Sequence, residues 1–121
     1  MLQNRKDSFK YAFKGVLELV SHHTNFKIQI GFAFLACVAG FLFEVNQMEW
    51  LAIIILICIV LTAEGLNTAI EFIIDLTSPE HHPLAAKAKD VAAGAVLLAS
   101  FFAVIVALII FIPKLKLLLL N

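Results

Sequence analysis

The sequence predicts an all-α membrane protein, in which an N-terminal amphipathic surface helix is followed by three transmembrane helices. Three observations carry this. Of the 121 residues, 62% are hydrophobic and only 15% charged, a composition foreign to ordinary soluble domains. Three apolar runs each approach the ~20 residues needed to cross a bilayer core. Ahead of the first run, apolar residues recur at helical spacing with polar ones between them. A chain this short and this apolar is expected to form one membrane-embedded domain over 1–121.

The first element is a helix over about 8–21, where Phe9, Phe13, Val16, Leu17 and Val20 share one side and Lys10, Lys14, Glu18 and Ser21 the other. Such a helix lies on a membrane surface, with its lysines toward anionic headgroups. Ser8, or Asp7 before it, is the candidate cap. No A-x-A-like cleavage site follows the first apolar run, so the chain is expected to be mature as written.

The spans follow at about 28–43, 50–74 and 91–112. Between the first two, Glu44-Val45-Asn46-Gln47-Met48-Glu49 is short, with Trp50 where an interfacial aromatic belongs. A tight hairpin is expected there. Arg5, Lys6, Lys10, Lys14 and Lys27 precede the first span, Lys87 and Lys89 lie between the second and third, and only Lys114 and Lys116 follow the last. By the excess of positive charge on cytoplasmic segments, the N-terminus and the second loop face the cytoplasm. Leu117 to Leu120 form an apolar tail beyond Pro113 to which the sequence assigns no function.

Several classes drop out. The formal net charge is zero and no basic run interleaves with aromatics, which argues against nucleic acid. Cys37 and Cys58 sit in apolar stretches without C-x-x-C spacing and read as small hydrophobes. The pairs His22-His23 and His81-His82 lack zinc-ligand spacing. No nucleotide-binding P-loop, protein-kinase signature or nucleophile elbow occurs.

The chemistry lies in the second span. Glu64, Asn67, Glu71 and Asp75 follow one another at i, i+3, i+7 and i+11, so they line one helical face. Glu64 and Glu71 are then separated by roughly 10 Å along the axis. Ionisable groups in an apolar span are expensive and usually functional. Glu71, nearer the surface, is a candidate ligand for Mg²⁺, which is held by one or two carboxylates together with substrate phosphates. Glu64, about two turns deeper, is a candidate base for a lipid hydroxyl attacking a terminal phosphate. Lys89 is placed to neutralise charge on the transferring phosphate, with Asp90 orienting it or the metal. The bland alternative is a polar packing seam between helices. A non-enzymatic scaffold, or a proton path through Glu64 and Glu71, is the competing reading from another class.

Glu64-Gly65-Leu66-Asn67-Thr68-Ala69-Ile70-Glu71-Phe72-Ile73-Ile74-Asp75, with His82-Pro83-Leu84-Ala85 and Ala88-Lys89-Asp90-Val91-Ala92-Ala93-Gly94 downstream, closely resembles the prokaryotic diacylglycerol kinase family, which includes the undecaprenol kinases. Ser8-Phe9-Lys10-Tyr11-Ala12-Phe13-Lys14-Gly15 resembles its surface helix, so the likeness covers nearly the whole chain. The resemblance implies a bacterial inner-membrane kinase that uses ATP with Mg²⁺. It also implies a homotrimer with cytoplasmic active sites shared between subunits. By matching position, Glu64 would be the base, Asn67 a polar helper and Glu71 a metal ligand. Lys89 and Asp90 would contact nucleotide phosphates, and Tyr11, Glu80, His81 and His82 would lie near ATP.

One position departs from the family pattern. The family usually places a second metal-binding Glu three residues before the Phe that enters the first span, where this chain has His23 in His23-Thr24-Asn25-Phe26. Three readings stay open: His23 ligates weakly, Glu18 serves instead, or Glu71 and phosphates hold the ion alone. The motifs around His82-Pro83-Leu84-Ala85 and Val91-Ala92-Ala93-Gly94-Ala95 look more like the undecaprenol branch, with diacylglycerol as the alternative acceptor. Apolar lipid-facing residues such as Phe32, Phe34 and Leu35 do not encode a particular chain.

Overall fold

The computed structural model describes residues 5–120, apart from the side chain of Lys6. These residues form four α-helices and no strand: α1 (Arg5–His22), α2 (Thr24–Leu42), α3 (Gln47–Thr77) and α4 (Pro83–Leu120). The last three are long and apolar enough to cross a membrane.

α1 is amphipathic, and its apolar residues Phe9, Phe13, Val16, Leu17 and Val20 are all exposed. It touches the rest of the chain least. Both facts suit a helix whose apolar face is left for an interface outside the chain. It begins three residues earlier than the sequence suggested, at Arg5. Asp7 and Ser8 are therefore inside its first turn and do not cap it. There the Asp7 carboxylate suits the positive end of the helix.

His23 alone separates α1 from α2. Its backbone is extended (φ −107°, ψ 108°), and its side chain makes no capping bond. α2 ends in a tight turn in which Glu44 N–H donates to the Phe41 carbonyl and Val45 N–H to that of Gly40. Glu44 takes a left-handed conformation (φ 49°), so these two bonds form a Schellman closure with glutamate where glycine is usual. Asn46 then starts α3 through a reciprocal capping box. Glu49 N–H donates to Asn46 Oδ1 (2.9 Å), and Asn46 N–H donates to Glu49 Oε2 (2.8 Å). The expected hairpin is thus closed by residues 43–46.

Below this turn Val45, Ile53 and Ile110 form the buried apolar cluster, flanked by Trp50, Val106 and Phe111. The Glu49–Lys114 ion pair (3.0 Å) ties α4 to the start of α3 at the same level. Gly40 lets the two helices meet here. A Cβ on it would lie 2.6 Å from the Trp50 ring, which packs on Phe41.

α3 and α4 pack along each other most extensively, and α2 lies against α3. Both outrun their expected spans, because the apolar count stops where polar residues begin while the helical hydrogen bonding carries on. α4 reaches about 57 Å at 1.5 Å per residue. It continues through Pro113 to Leu120, so the leucine tail is helical, and its residues 117–120 are exposed. Cys37 on α2 and Cys58 on α3 are both free.

Candidate active site

The most deeply buried side chains are not all apolar. Thr68 (3% exposed), Glu64 (4%) and Asn67 (5%) rank with Ile53 (5%), and all four lie on α3. Around them apolar residues turn outward, as Leu66, Ile70, Phe72 and Ile73 are exposed. The face that carries the carboxylates is therefore the face α3 turns toward the other helices. A charged group in that position is expensive unless it is partnered or neutralised.

Glu64 lines a cavity of about 330 Å³ with Asn25, Ile28 and Gln29 of α2 and Ala93, Val96, Leu97 and Ser100 of α4. No described side chain donates it a hydrogen bond. Its backbone carbonyl accepts from Thr68 Oγ1 at 3.0 Å, so Thr68 satisfies its hydroxyl within the helix. Glu71 and His23 are the charged or titratable neighbours that act on the Glu64 carboxylate.

Asn67 links two levels of the site. It lines the Glu64 cavity, and its Nδ2 donates to Glu71 Oε1 one turn above at 3.2 Å. Its own Oδ1 is buried without a partner, so an oxygen acceptor stands unfilled beside the Glu71 carboxylate. Oxygen donors of this kind suit a hard divalent cation, which takes few protein ligands when phosphates complete its shell. Among the described residues no group of three His, Cys, Asp or Glu side chains is placed to hold a metal ion by itself, so an ion beside Glu71 would rely on Glu71, Asn67 and a phosphorylated ligand.

His23 packs edge-on against Phe72 of α3, with ring centroids 5.3 Å apart. This contact puts the α1–α2 junction at the same end of the bundle as the carboxylates. Its Nε2 is buried and stands 3.7 Å from Glu18 Oε1, within ion-pair range but too far for a hydrogen bond. Glu18 also meets His22 Nδ1 at 3.2 Å. Glu18 and His23, the two residues the sequence offered for the missing carboxylate position, thus lie side by side.

At the mouth, Lys89 Nζ donates to Asp75 Oδ1 at 2.6 Å and also lies within electrostatic reach of Glu71. The sequence pointed to Asp90 as the residue orienting Lys89. The described partner is Asp75, which closes the stripe on α3, while Asp90 is exposed beside it in sequence. Consecutive helical residues point about 100° apart, so Lys89 turned toward α3 leaves Asp90 facing elsewhere.

The remaining expected nucleotide contacts are spread out. Glu80, His81 and His82 belong to the exposed loop between α3 and α4. His82 Nδ1 accepts from Leu84 N–H at 3.1 Å, capping α4 just before Pro83. The Glu80 carbonyl accepts from Ser78 Oγ at 3.3 Å. Tyr11 is half exposed on α1, with Lys14 Nζ 5.8 Å from its ring centre. Glu80, His81 and His82 stand in the loop that follows the carboxylate stripe on α3, whereas Tyr11 has, among the described residues, only Lys14 of its own helix beside it.

Three polar residues of the cavity wall were not singled out from sequence: Asn25, Gln29 and Ser100. Gln29 and Ser100 carried a usable signal, since each is a polar residue inside an apolar run. Their meaning depends on which helices become neighbours.

Three helices long and apolar enough to cross a membrane, with a carboxylate buried beneath the Lys89–Asp75 ion pair, are the frame of a membrane protein with an acidic site at one end. Comparison with known proteins specifies the group. The prokaryotic diacylglycerol kinase family matches over residues 10–111, and the chain belongs to that family. It is similar to the undecaprenol kinase of Bacillus subtilis (strain 168), 43% identical over 108 residues that cover 89% of this chain and 88% of that one. It is 38% identical to the diacylglycerol kinase of Synechocystis over 89% of this chain and 62% of the relative. With the diacylglycerol kinase of Escherichia coli (strain K12) it shares 32% identity over 78% of each chain. It is accordingly a lipid kinase of a bacterial membrane, a transferase that phosphorylates an alcohol, with ATP implied as co-substrate. The scaffold and proton-path readings are set aside by this relationship.

Proposed function

We propose that this chain is a single-domain kinase of the bacterial inner membrane that phosphorylates undecaprenol with Mg-ATP, its N-terminus and active site facing the cytoplasm. The observation that carries the reading is the burial of Glu64, at 4% exposure, in a cavity walled by α2 and α4. A base buried at that depth meets a lipid hydroxyl, not water. Undecaprenol is favoured because the relative sharing 43% identity over nearly its whole length bears that activity in its name. Diacylglycerol is the second reading, supported by the names of the other relatives.

In this reading Glu64 accepts the hydroxyl proton as the lipid oxygen attacks the terminal phosphorus of ATP, and ADP leaves. Asn67 holds Glu71 by its amide and offers Oδ1 to the same region. Glu71, with His23 or Glu18 as a further candidate, would hold Mg²⁺, which supplies charge neutralisation across the phosphates. Lys89, steadied by Asp75, and Asp90 meet the nucleotide phosphates. Tyr11, Glu80, His81 and His82 border the nucleotide. A homotrimer with shared active sites fits the many exposed apolar residues on α2, α3 and α4.

The test is direct. Purified protein in mixed micelles, given labelled ATP, Mg²⁺ and either lipid, should transfer label to undecaprenol with a kcat/KM above that for diacylglycerol. The reverse order would move the assignment to diacylglycerol. Transfer to neither would refute the reading.

A further inference from the structure

The leucines that follow Pro113 take no part in the site. Residues 115–120 continue α4, and every one of them except Lys116 is leucine. All six are exposed. Successive helical side chains point about 100° apart, so the four consecutive leucines at 117–120 cover the whole circumference of the helix. The segment has no polar side to turn toward water.

The ion pair beside it fixes its level. Lys114 Nζ lies 3.0 Å from Glu49 Oε2 in the first turn of α3, next to Trp50, the aromatic at the rim of that span. Continued straight, α4 would carry Leu120 about 9 Å past this level. The polar layer of a bilayer is only about 5–8 Å deep on each side, so a straight segment would bring its last leucine into water. Pro113 offers an alternative. It has no N–H to give the Ile109 carbonyl, and helices bend most readily at such a break. Phe111 packs on the cluster of Val45, Ile53 and Ile110, and Lys114 pairs with Glu49. The exposed residues beyond them are free to follow a bend.

Lys116 adds charge to this segment. The described lysine ion pairs are those of Lys89 and Lys114, and no described carboxylate meets Lys116. A lysine among leucines buries its stem with them and puts its ammonium at the level of headgroup phosphates, where anionic lipid attracts it. We propose that residues 115–120 are a lipid-binding foot. Bent at Pro113, they lie in the leaflet at the Glu49–Lys114 end, with the leucines among acyl chains and Lys116 at anionic phosphate. Lipid is the occupant because it surrounds a helix, whereas a protein partner or a second copy would cover one side and leave the other leucines in water. The bundle then has a surface anchor at each end, α1 beside the carboxylates and this foot below the hairpin.

Spin labels report the surroundings of each leucine. Leu117→Cys, Leu118→Cys, Leu119→Cys and Leu120→Cys are labelled one at a time in the full chain carrying Cys37→Ala and Cys58→Ala. The proteins are reconstituted in vesicles of phosphatidylethanolamine and phosphatidylglycerol, and retained lipid kinase activity certifies each fold. Oxygen concentrates in lipid and a neutral nickel complex in water, so the ratio of their collision rates with the label separates the two media. All four labels should favour oxygen. Labels that favour nickel would put the segment in water, and shielding of one side from both reagents would give it a protein partner. Either result overturns the proposal. Lys116→Glu should shift the labels toward nickel in these vesicles and much less in vesicles of phosphatidylcholine alone. A shift of equal size in both would overturn the contact with anionic headgroups.

Discussion

Glu64 and Glu71 are seven residues apart on one helix, yet their surroundings differ enough to separate their roles. Glu64 is nearly sealed among α2 and α4 side chains, while Glu71 is half-buried and held by the Asn67 amide. Glu64→Gln keeps the shape and removes only the ability to take a proton. Its kcat should fall at least about 100-fold, the usual contribution of a positioned base, with the KM for ATP within a few-fold of wild type. Steady-state kinetics at saturating lipid check this, and a variant that keeps its kcat would exclude Glu64 as the base. Glu71→Ala should instead weaken Mg²⁺ and nucleotide together, by about tenfold or more, since even residues behind the ligands of a metal can matter that much. Titrating each in turn tests the coupling. A variant that loses affinity for one alone would show that Glu71 does not hold the ion between them.

At the scale of elements, the α2–α3 hairpin is the most closely specified part of the bundle. A left-handed Glu44, the Asn46–Glu49 capping box and the seat of Trp50 against Gly40 all act within a few residues. The methyl group of Gly40→Ala would lie 2.6 Å from Trp50 Cη2 and 2.9 Å from Cζ2, so the indole or a helix must shift. Overpacking of this kind costs about 1–3 kcal/mol. The expected result is a lower thermal midpoint in detergent, partly restored when Trp50→Phe is added. A single variant as stable as wild type would mean that the indole moves aside freely. Glu64 lies 14 residues, about 21 Å, along α3 from Trp50, so activity at low temperature should survive in the folded fraction.

For the whole molecule, the asymmetry of charge and the burial of the stripe describe the same direction. Lys89, Asp75 and the α1–α2 junction gather at one end, and the Glu49–Lys114 pair marks the other. If the first end is cytoplasmic, a single cysteine at Glu80 should label from the cytoplasmic face. One at Asn46 should label only from the opposite face, in a background lacking Cys37 and Cys58. Membrane-impermeant maleimide on intact cells and on inverted vesicles distinguishes the two faces. Reversed labelling would invert the orientation and put the carboxylates out of reach of cellular ATP.

What the sequence by itself determined was everything that depends on period and polarity. Those are the helical class, the three spans, the surface helix, and the alignment of Glu64, Asn67, Glu71 and Asp75 on one face, because a helix fixes relative direction from spacing alone. Its ends were less legible. Asp7 and Ser8 looked like caps but fell within α1, since hydrogen bonding along the backbone continues past the last apolar residue. Only the tertiary structure decided which residues face the stripe across a gap. It set Asp75 against Lys89 where Asp90 was expected, His23 against Phe72, and Gln29 against Ser100. Partners of this kind belong to different helices, and their pairing follows from how those helices pack, a relation that no local spacing in the chain encodes.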